Sequence, residues 1–439
     1  MKKLSMFQII LLVFFGASAV AGVLIFSLAI GGNASKSVGP VKIWGTLDKG
    51  AFSAVLRQAT ESNGALSQVS YDQKDPATYE AELTDALASG TGPDLFLLRQ
   101  DYAVKDQGKV AVIPISALSK SQFESAFIEA ANPFMTQVGA LGVPVFADPL
   151  VLYWNKDLLA SAGFAQPPKH WDELFNMAVK ITKKNDAGQI LKSAIAFGEY
   201  RNVNNAKDVL ATLILQAGGT ITTMDSGDHL VPGLIPKGGG NGQSTETALR
   251  FYTQFADPSK ANYSWNRSLR AAQEAFAAGD VGLYVGYASE YPQIARGNPN
   301  LNFAVAAIPQ TRSTAGSLNT AHVYAFAAAR AGKNPSAAVQ AAYLLAASDN
   351  GKALTTALGI PSARRDVANS MAHGVNTDAD TNDALFSDMA IIAKSWIDPD
   401  PEKTAIIFRD MIEKTTSGAQ LLTEAVQRAD QELGHILGL

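Results

Sequence analysis

The chain contains no cysteine, which excludes disulfides, thiolate metal sites and a cysteine nucleophile. Its five histidines, at positions 170, 229, 322, 373 and 435, are scattered without metal-ligand spacing, and no His-Glu-x-x-His occurs. A structural role is expected for each. The chain has 36 glycines, yet none falls into a P-loop, a Gly-x-Gly-x-x-Gly turn or a Gly-x-Ser-x-Gly elbow. Asp378-Ala-Asp380-Thr-Asn382-Asp383 begins like a calcium loop, but Asp383 stands where the loop needs glycine and Met389 where it needs glutamate. It reads as a solvated acidic loop, and neither metal nor cofactor is expected. There is also no Lys/Arg cluster. With 36 basic and 40 acidic residues, and a formal net charge of −4, nucleic acid is not an expected partner.

What is present is a globular composition, 47% hydrophobic over 439 residues, enough for two domains with full cores. The N-terminus stands apart. No charge occurs from Leu4 to Ser35, and the apolar core Ile9–Ile30 would span roughly 33 Å as a helix, about one hydrocarbon core. Cleaved signals have shorter apolar regions, about 7–15 residues. Residues 1–36 therefore read as a retained anchor, or uncleaved signal, and linker; a cleaved signal is the alternative. Lys2 and Lys3 would stay in the cytoplasm and place the remainder outside.

Beyond residue 40, strand and helix patterns alternate: strands at Val41–Trp44, Gln68–Tyr71 and Leu95–Leu98, helices at Ala51–Ser62 and Tyr79–Ser89. This is the signature of an α/β domain with a mostly parallel sheet. Helices then dominate, at Trp171–Lys183, Lys207–Gly218, Thr245–Phe255 and Arg267–Ala278, with strands at Val281–Tyr284, Asn302–Ile308 and Val323–Ala328. Ser336–Ala347, Thr404–Lys414 and Ala419–Leu437 read as helices, and the Gly-rich stretch Pro232–Gly242 as a surface loop.

The most informative segment runs from Val143 to Phe175. Leu150–Trp154 is an apolar run too short for a helix and reads as a buried strand. Asn155 and Asp157 can cap the short helix that follows, Gly163 ends it, and Pro167-Pro168 stiffens the entry to the next one. This order resembles the interlobe crossing of the extracellular solute-binding proteins of ABC importers, the family of maltose-binding-protein-like chains. That family's pattern is an apolar strand into Tyr-Asn-Lys-Asp-Leu, then Pro-Pro-Lys-Thr-Trp-Asp-Glu-Leu; this chain has Trp154 for the tyrosine and His170 for the threonine. Further matches follow in family order: Val41–Gly50, Gly90-Thr-Gly-Pro-Asp-Leu-Phe96, Ala275–Gly286, Ile360–Arg364 and Thr416-Ser-Gly418.

The resemblance implies a two-lobed α/β periplasmic-binding-protein-like fold (type II) preceded by one N-terminal transmembrane helix. Lobe one is expected at 41–148 plus 308–330, and lobe two at 149–307 plus 333–439. Hinges would lie near Asp148-Pro149 and Ile308-Pro309. The implied function is capture of a solute, a mono- or oligosaccharide, in an interlobe cleft and its delivery to an ABC permease, by a monomer that is not an enzyme. Sugars offer hydroxyls to planar polar groups and C–H faces to aromatics, so such a site needs both. By resemblance, Asp48, Lys49, Asp101 and the hinge residue Asp148 fall on polar ligand positions; Leu98 replaces a stacking tryptophan and Tyr102 an arginine. Tyr200, Arg201 and Asn202 would line the second lobe, and Tyr287 and Trp396 would supply apolar faces. For each carboxylate the competing reading is a helix cap or a surface charge. Trp44 and Trp171 read as core, and Trp265 stays open. A sensory or adhesion subunit built on the same module, and an extracellular hydrolase, are the rival functions.

Overall fold

A computed structural model describes residues 37–236, 242–312, 316–373 and 381–439. The apolar segment Ile9–Ile30, the core of the Gly-rich stretch and Asp378–Asp380 lie outside the described residues. Among the described residues no helix is long and apolar enough to cross a membrane.

In chain order, β1 (Val41–Gly45) leads to α1 (Lys49–Asn63), β2 (Val69–Gln73), α2 (Tyr79–Ala88), β3 (Leu95–Arg99) and the one-turn α3 (Ala103–Asp106). The long strand β4 (Val143–Asn155) feeds α4 (Lys156–Ser161) and α5 (Glu173–Ile181), then β5 (Ile190–Ile195), α6 (Ala206–Gln216) and α7 (Gln243–Thr253). Next come α8 (Ala272–Ala277), β6 (Val281–Tyr287), β7 (Phe303–Ala306) and β8 (Asn319–Ala328). The chain finishes with α9 (Pro335–Leu345), α10 (Ser348–Leu358), the short β9 (Ala393–Lys394), α11 (Pro401–Thr416) and α12 (Leu422–Ile436).

Local chemistry accounts for many of these boundaries. Asn155 Oδ1 accepts from the backbone N–H of Asp157 (3.1 Å) and Leu158 (3.0 Å), capping α4, and Gly163 at φ 85° supplies the left-handed turn just beyond it. Pro335 opens α9 behind the Asn334 cap. Leu174, Met177, Ala178 and Ile181 put one apolar face of α5 into the core. Two elements differ from the sequence reading. The strand expected at Leu150–Trp154 begins at Val143 and includes two prolines; residues 361–363 pair with its first half, through Ala363 N–H to Val145 O and Ala147 N–H to Pro361 O. The helix expected from Arg267 starts only at Ala272. Asn202 Nδ2 donates to the carbonyls of Asn266 and Leu269 (2.9 Å each), while Asn266 Oδ1 takes the Ser268 N–H, so turn chemistry wins over helix there.

The described residues form two compact units, one from residues 37–146, 323–358 and 362–367, the other from those within 147–322, 359–361 and 368–439. It passes from the first to the second within β4 and returns within β8. In the first unit, β1 lies between β2 and β3, parallel to both, and β8 runs antiparallel to β3. In the second unit, β4 lies between β6 and β7, antiparallel to both, with β5 parallel to β6. The second crossing, expected near Ile308-Pro309, occurs between His322 and Val323, so residues 308–322 belong to the second unit. Residues 335–358, expected in lobe two, belong to the first, because α9 packs on β1 and β3, and α10 on α1.

Candidate functional site

Ligands of open α/β sheets sit beyond the carboxyl ends of parallel strands, where backbone groups and loop side chains are presented together. In the second unit those ends belong to β5 and β6. Tyr287, the last residue of β6, is 7% exposed. Its ring stacks on His322 at 4.3 Å between centroids and 22° between planes, and its hydroxyl shares a 2.9 Å hydrogen bond with His322 Nε2. Glu290 holds the turn after it, accepting from Tyr287 N–H (2.9 Å), Tyr284 Oη (2.6 Å), Gln273 Nε2 (2.6 Å) and Asn205 Nδ2 (2.8 Å). A Cβ on Gly286 would come within 2.9 Å of Glu290 Oε2, so the missing side chain is what lets this carboxylate approach. Tyr153 Oη donates to Tyr287 O at 2.6 Å.

Asp148 is buried and accepts the Ser289 N–H at 2.9 Å. Burial pushes its carboxyl up to about 6, against the opposing pull of the Ser289 hydrogen bonds and of His322. A carboxyl whose folded pKa is raised stabilises fully below the unfolded value, about 4, and that contribution is lost as pH rises through about 6. Asp148→Asn should therefore gain stability relative to wild type between pH 4.5 and 7, as read by thermal melts at the two pH values; an unchanged difference would rule out the raised carboxyl.

Tyr200 is half-buried in the loop after β5, its hydroxyl held above its ordinary range by burial and by Asp208, with Arg409 opposing. Arg201 is exposed. Buried Asn202 fixes this loop, also accepting from Trp265 Nε1 at 3.1 Å, which makes Trp265, 1% exposed, a core residue. Trp396 is half-buried; its ring lies against Phe408 (6.2 Å, 24°), and Lys207 Nζ stands 5.4 Å from its centroid. That ammonium donates to Asp398 Oδ2 (2.7 Å), Thr404 Oγ1 (2.8 Å) and Pro401 O (3.3 Å).

The first turn of α6 joins these groups. Lys207 reaches under Trp396, and the next residue, Asp208, lies 3.8 Å from His322 Nε2. The structure thus links Asp148, Tyr200, Tyr287 and Trp396 on one side of the second unit, through Lys207, Asp208, Glu290 and His322, which the sequence reading did not single out. Arg201 takes no part in that network. No spacing signal could have found His322 or Lys207, because their partners lie more than 30 residues away in sequence. A separate recess of about 430 Å³, lined by Leu191, Ser193, Arg270 and Asp280 among others, opens at the amino ends of β5 and β6, away from this chemistry.

In the first unit the candidates lie at the start of α1 and just after β3. Asp48 is exposed and caps α1, accepting the Ala51 N–H at 2.8 Å. Lys49 is exposed, with its backbone N–H on Gln73 Oε1 (2.9 Å). Asp101 is buried, and Arg99 grips it with two bonds, Nε to Oδ1 at 2.6 Å and an Nη to Oδ2 at 2.7 Å. Trp44 and Trp171 are core residues. Among the described residues no group of three or more His, Asp or Glu is arranged to hold a metal ion.

Comparison with known proteins gives a consistent picture. The model of the bacterial extracellular solute-binding protein family matches residues 54–385. A Brucella abortus (strain 2308) protein, assigned by inference as a binding protein, is 27% identical over 233 residues, 52% of each chain; this chain spans about half the length of the curated relatives it matches. Among solved structures, an ABC transporter solute-binding protein from Thermotoga lettingae bound with α-D-tagatose superposes with TM-score 0.66 at 20% identity, over 91% of this chain and 100% of that one. The cyclic α-maltosyl-1,6-maltose binding protein from Arthrobacter globiformis does so with TM-score 0.73 at 17% identity, over 91% and 99%. At these identities the likeness is one of fold: the α/β, two-lobed architecture of periplasmic binding proteins.

Proposed function

We propose, from the premise that this chain belongs to the bacterial extracellular solute-binding protein family, that it is the sugar receptor of an ABC importer. It binds an uncharged mono- or oligosaccharide and catalyses no reaction. The carrying observation is the linked group in the second unit, where aromatic faces (Tyr287, Trp396, Tyr200) stand beside planar polar side chains (Asp148, His322, Asp208). Two cations within it are matched, Lys207 by Asp398 and Arg409 by Asp410, and Arg201 lies at its outer edge. Such a surface suits hydroxyls and C–H faces better than an anion. In the first unit, Asp48, Lys49 and Asp101 are proposed to add polar contacts, and Arg201 an outer one.

Solved relatives of this fold carry tagatose, acarbose and maltotetraose. A thermal-shift screen with D-tagatose, acarbose, maltotetraose and charged solutes, amino acids and phosphate among them, tests the reading. A ligand at 100 times its dissociation constant stabilises by about 2.7 kcal/mol, enough for a visible rise in Tm. A rise with sugars alone is expected; a rise only with charged solutes would overturn it.

We also propose that Ile9–Ile30 is retained as a membrane anchor, keeping the monomeric receptor outside the cell beside its permease. The full chain should then sediment with membranes and a chain beginning at Ser37 should remain in the supernatant. A native protein whose first residue falls between 20 and 36 would show the segment to be a cleaved signal.

A further inference from the structure

The first unit contains a pair of buried carboxyl groups that the proposed sugar site leaves unused. Glu80, in the first turn of α2, faces Asp106, the last residue of α3. The Asp106 side chain is 1% exposed. Glu80 Oε2 and both Asp106 oxygens are buried and receive no aligned hydrogen bond from any described donor. Lys109 Nζ stands 2.7 Å from Asp106 Oδ1 as its ion-pair partner and also donates to Thr84 Oγ1 at 2.8 Å. Arg99 also faces Glu80, while its guanidinium holds Asp101 through two bonds. Tyr79 is also a titratable neighbour, and its hydroxyl donates to Leu97 O at 2.9 Å.

The Lys109 ammonium can balance one of the two carboxylates and the Arg99 guanidinium is shared with Asp101, so Glu80 and Asp106 cannot both be charged cheaply, and Glu80 Oε2 and Asp106 Oδ2 stay without a partner. One proton resolves both problems, because a protonated carboxyl becomes a donor to its partner. We propose that Glu80 and Asp106 share one proton, and that the resulting acid–carboxylate hydrogen bond latches α3, and with it the Arg99–Asp101 turn, onto α2. Burial, then the charge of Asp106, pushes the Glu80 carboxyl up to about 8, so the latch is closed at neutral pH. As pH rises the proton leaves to solvent, and two like charges remain on facing helices. The sign follows from the raised pKa: the contribution is complete below about 4.5 and is lost as pH climbs through about 8. Asp148 is mostly ionised above pH 7, and the Glu80→Gln comparison separates this pair from every other group that titrates between pH 6.5 and 9.

Thermal melts of the full chain at pH 6.5 and pH 9 test the latch in wild type and in Glu80→Gln, whose amide donates to Asp106 at either pH. Wild type should lose several degrees of Tm between the two conditions, and Glu80→Gln should lose far less. Equal losses would overturn the proposal. If Glu80→Gln does not fold, infrared difference spectra of the wild-type chain decide instead. A protonated-carboxyl stretch present at pH 7 and gone at pH 9.5 supports the shared proton; no such band at pH 7, where Asp148 is mostly ionised, excludes it.

Discussion

Asp398→Ala should destabilise the second unit by about 3–5 kcal/mol, the usual cost of breaking a buried ion pair by removing one partner. The side chain of Asp398 is 1% exposed and that of its partner Lys207 13%, so deletion strands a largely buried ammonium. Asp398 also accepts from Thr404 Oγ1 (2.9 Å to each oxygen) and from Asp400 N–H (3.1 Å), which pins the loop carrying Trp396 to the start of α11. For a unit of this size the fall in Tm should be roughly 6–20 °C. The double replacement Lys207→Met/Asp398→Leu should recover much of it, since an apolar pair of similar volume often equals a buried ion pair in stability. Calorimetric melts of both variants measure this. A single variant as stable as wild type would mean that the pair is solvated in solution.

Trp396→Ala should weaken sugar binding about tenfold or more. A stacked aromatic face contributes roughly 0.5–1.5 kcal/mol beyond area burial, and the covered apolar area adds to that; about 1.4 kcal/mol corresponds to one decade of affinity. The ring also lies against Phe408, so some stability is lost, but less than the roughly 3–5 kcal/mol of a fully buried tryptophan. Calorimetric titration with whichever of tagatose, acarbose or maltotetraose raises the wild-type Tm, beside a melt of the ligand-free variant, separates the two effects. Wild-type affinity in a folded variant would remove Trp396 from the site.

The cap at Asn155, the stop at Gly163, the apolar run at Leu150–Trp154 and the burial of Trp44 and Trp171 were all legible in the chain, because each depends on neighbours within a few residues or on an apolar side chain's need to leave water. Family membership was legible for a related reason: short motifs in fixed order survive where overall identity does not. The absence of cysteine and of catalytic spacings had already removed most enzymatic readings before any fold was considered.

The tertiary structure decided what each polar side chain does. Asp48, Asp101 and Asp148 looked alike as candidates; folding made the first an exposed helix cap, clamped the second between two bonds from Arg99, and buried the third against Ser289. His322, one of five scattered histidines, acquired Tyr287 and Asp208 as partners only when β6, β8 and α6 came together. Glu80 and Asp106 are likewise unremarkable in sequence and costly only as a pair. Local order depends on short-range sterics and capping, which a sequence displays directly. A carboxylate's role depends on which charges and donors the fold brings within a few ångströms and on how much water it excludes, and those are set by contacts between residues far apart in the chain.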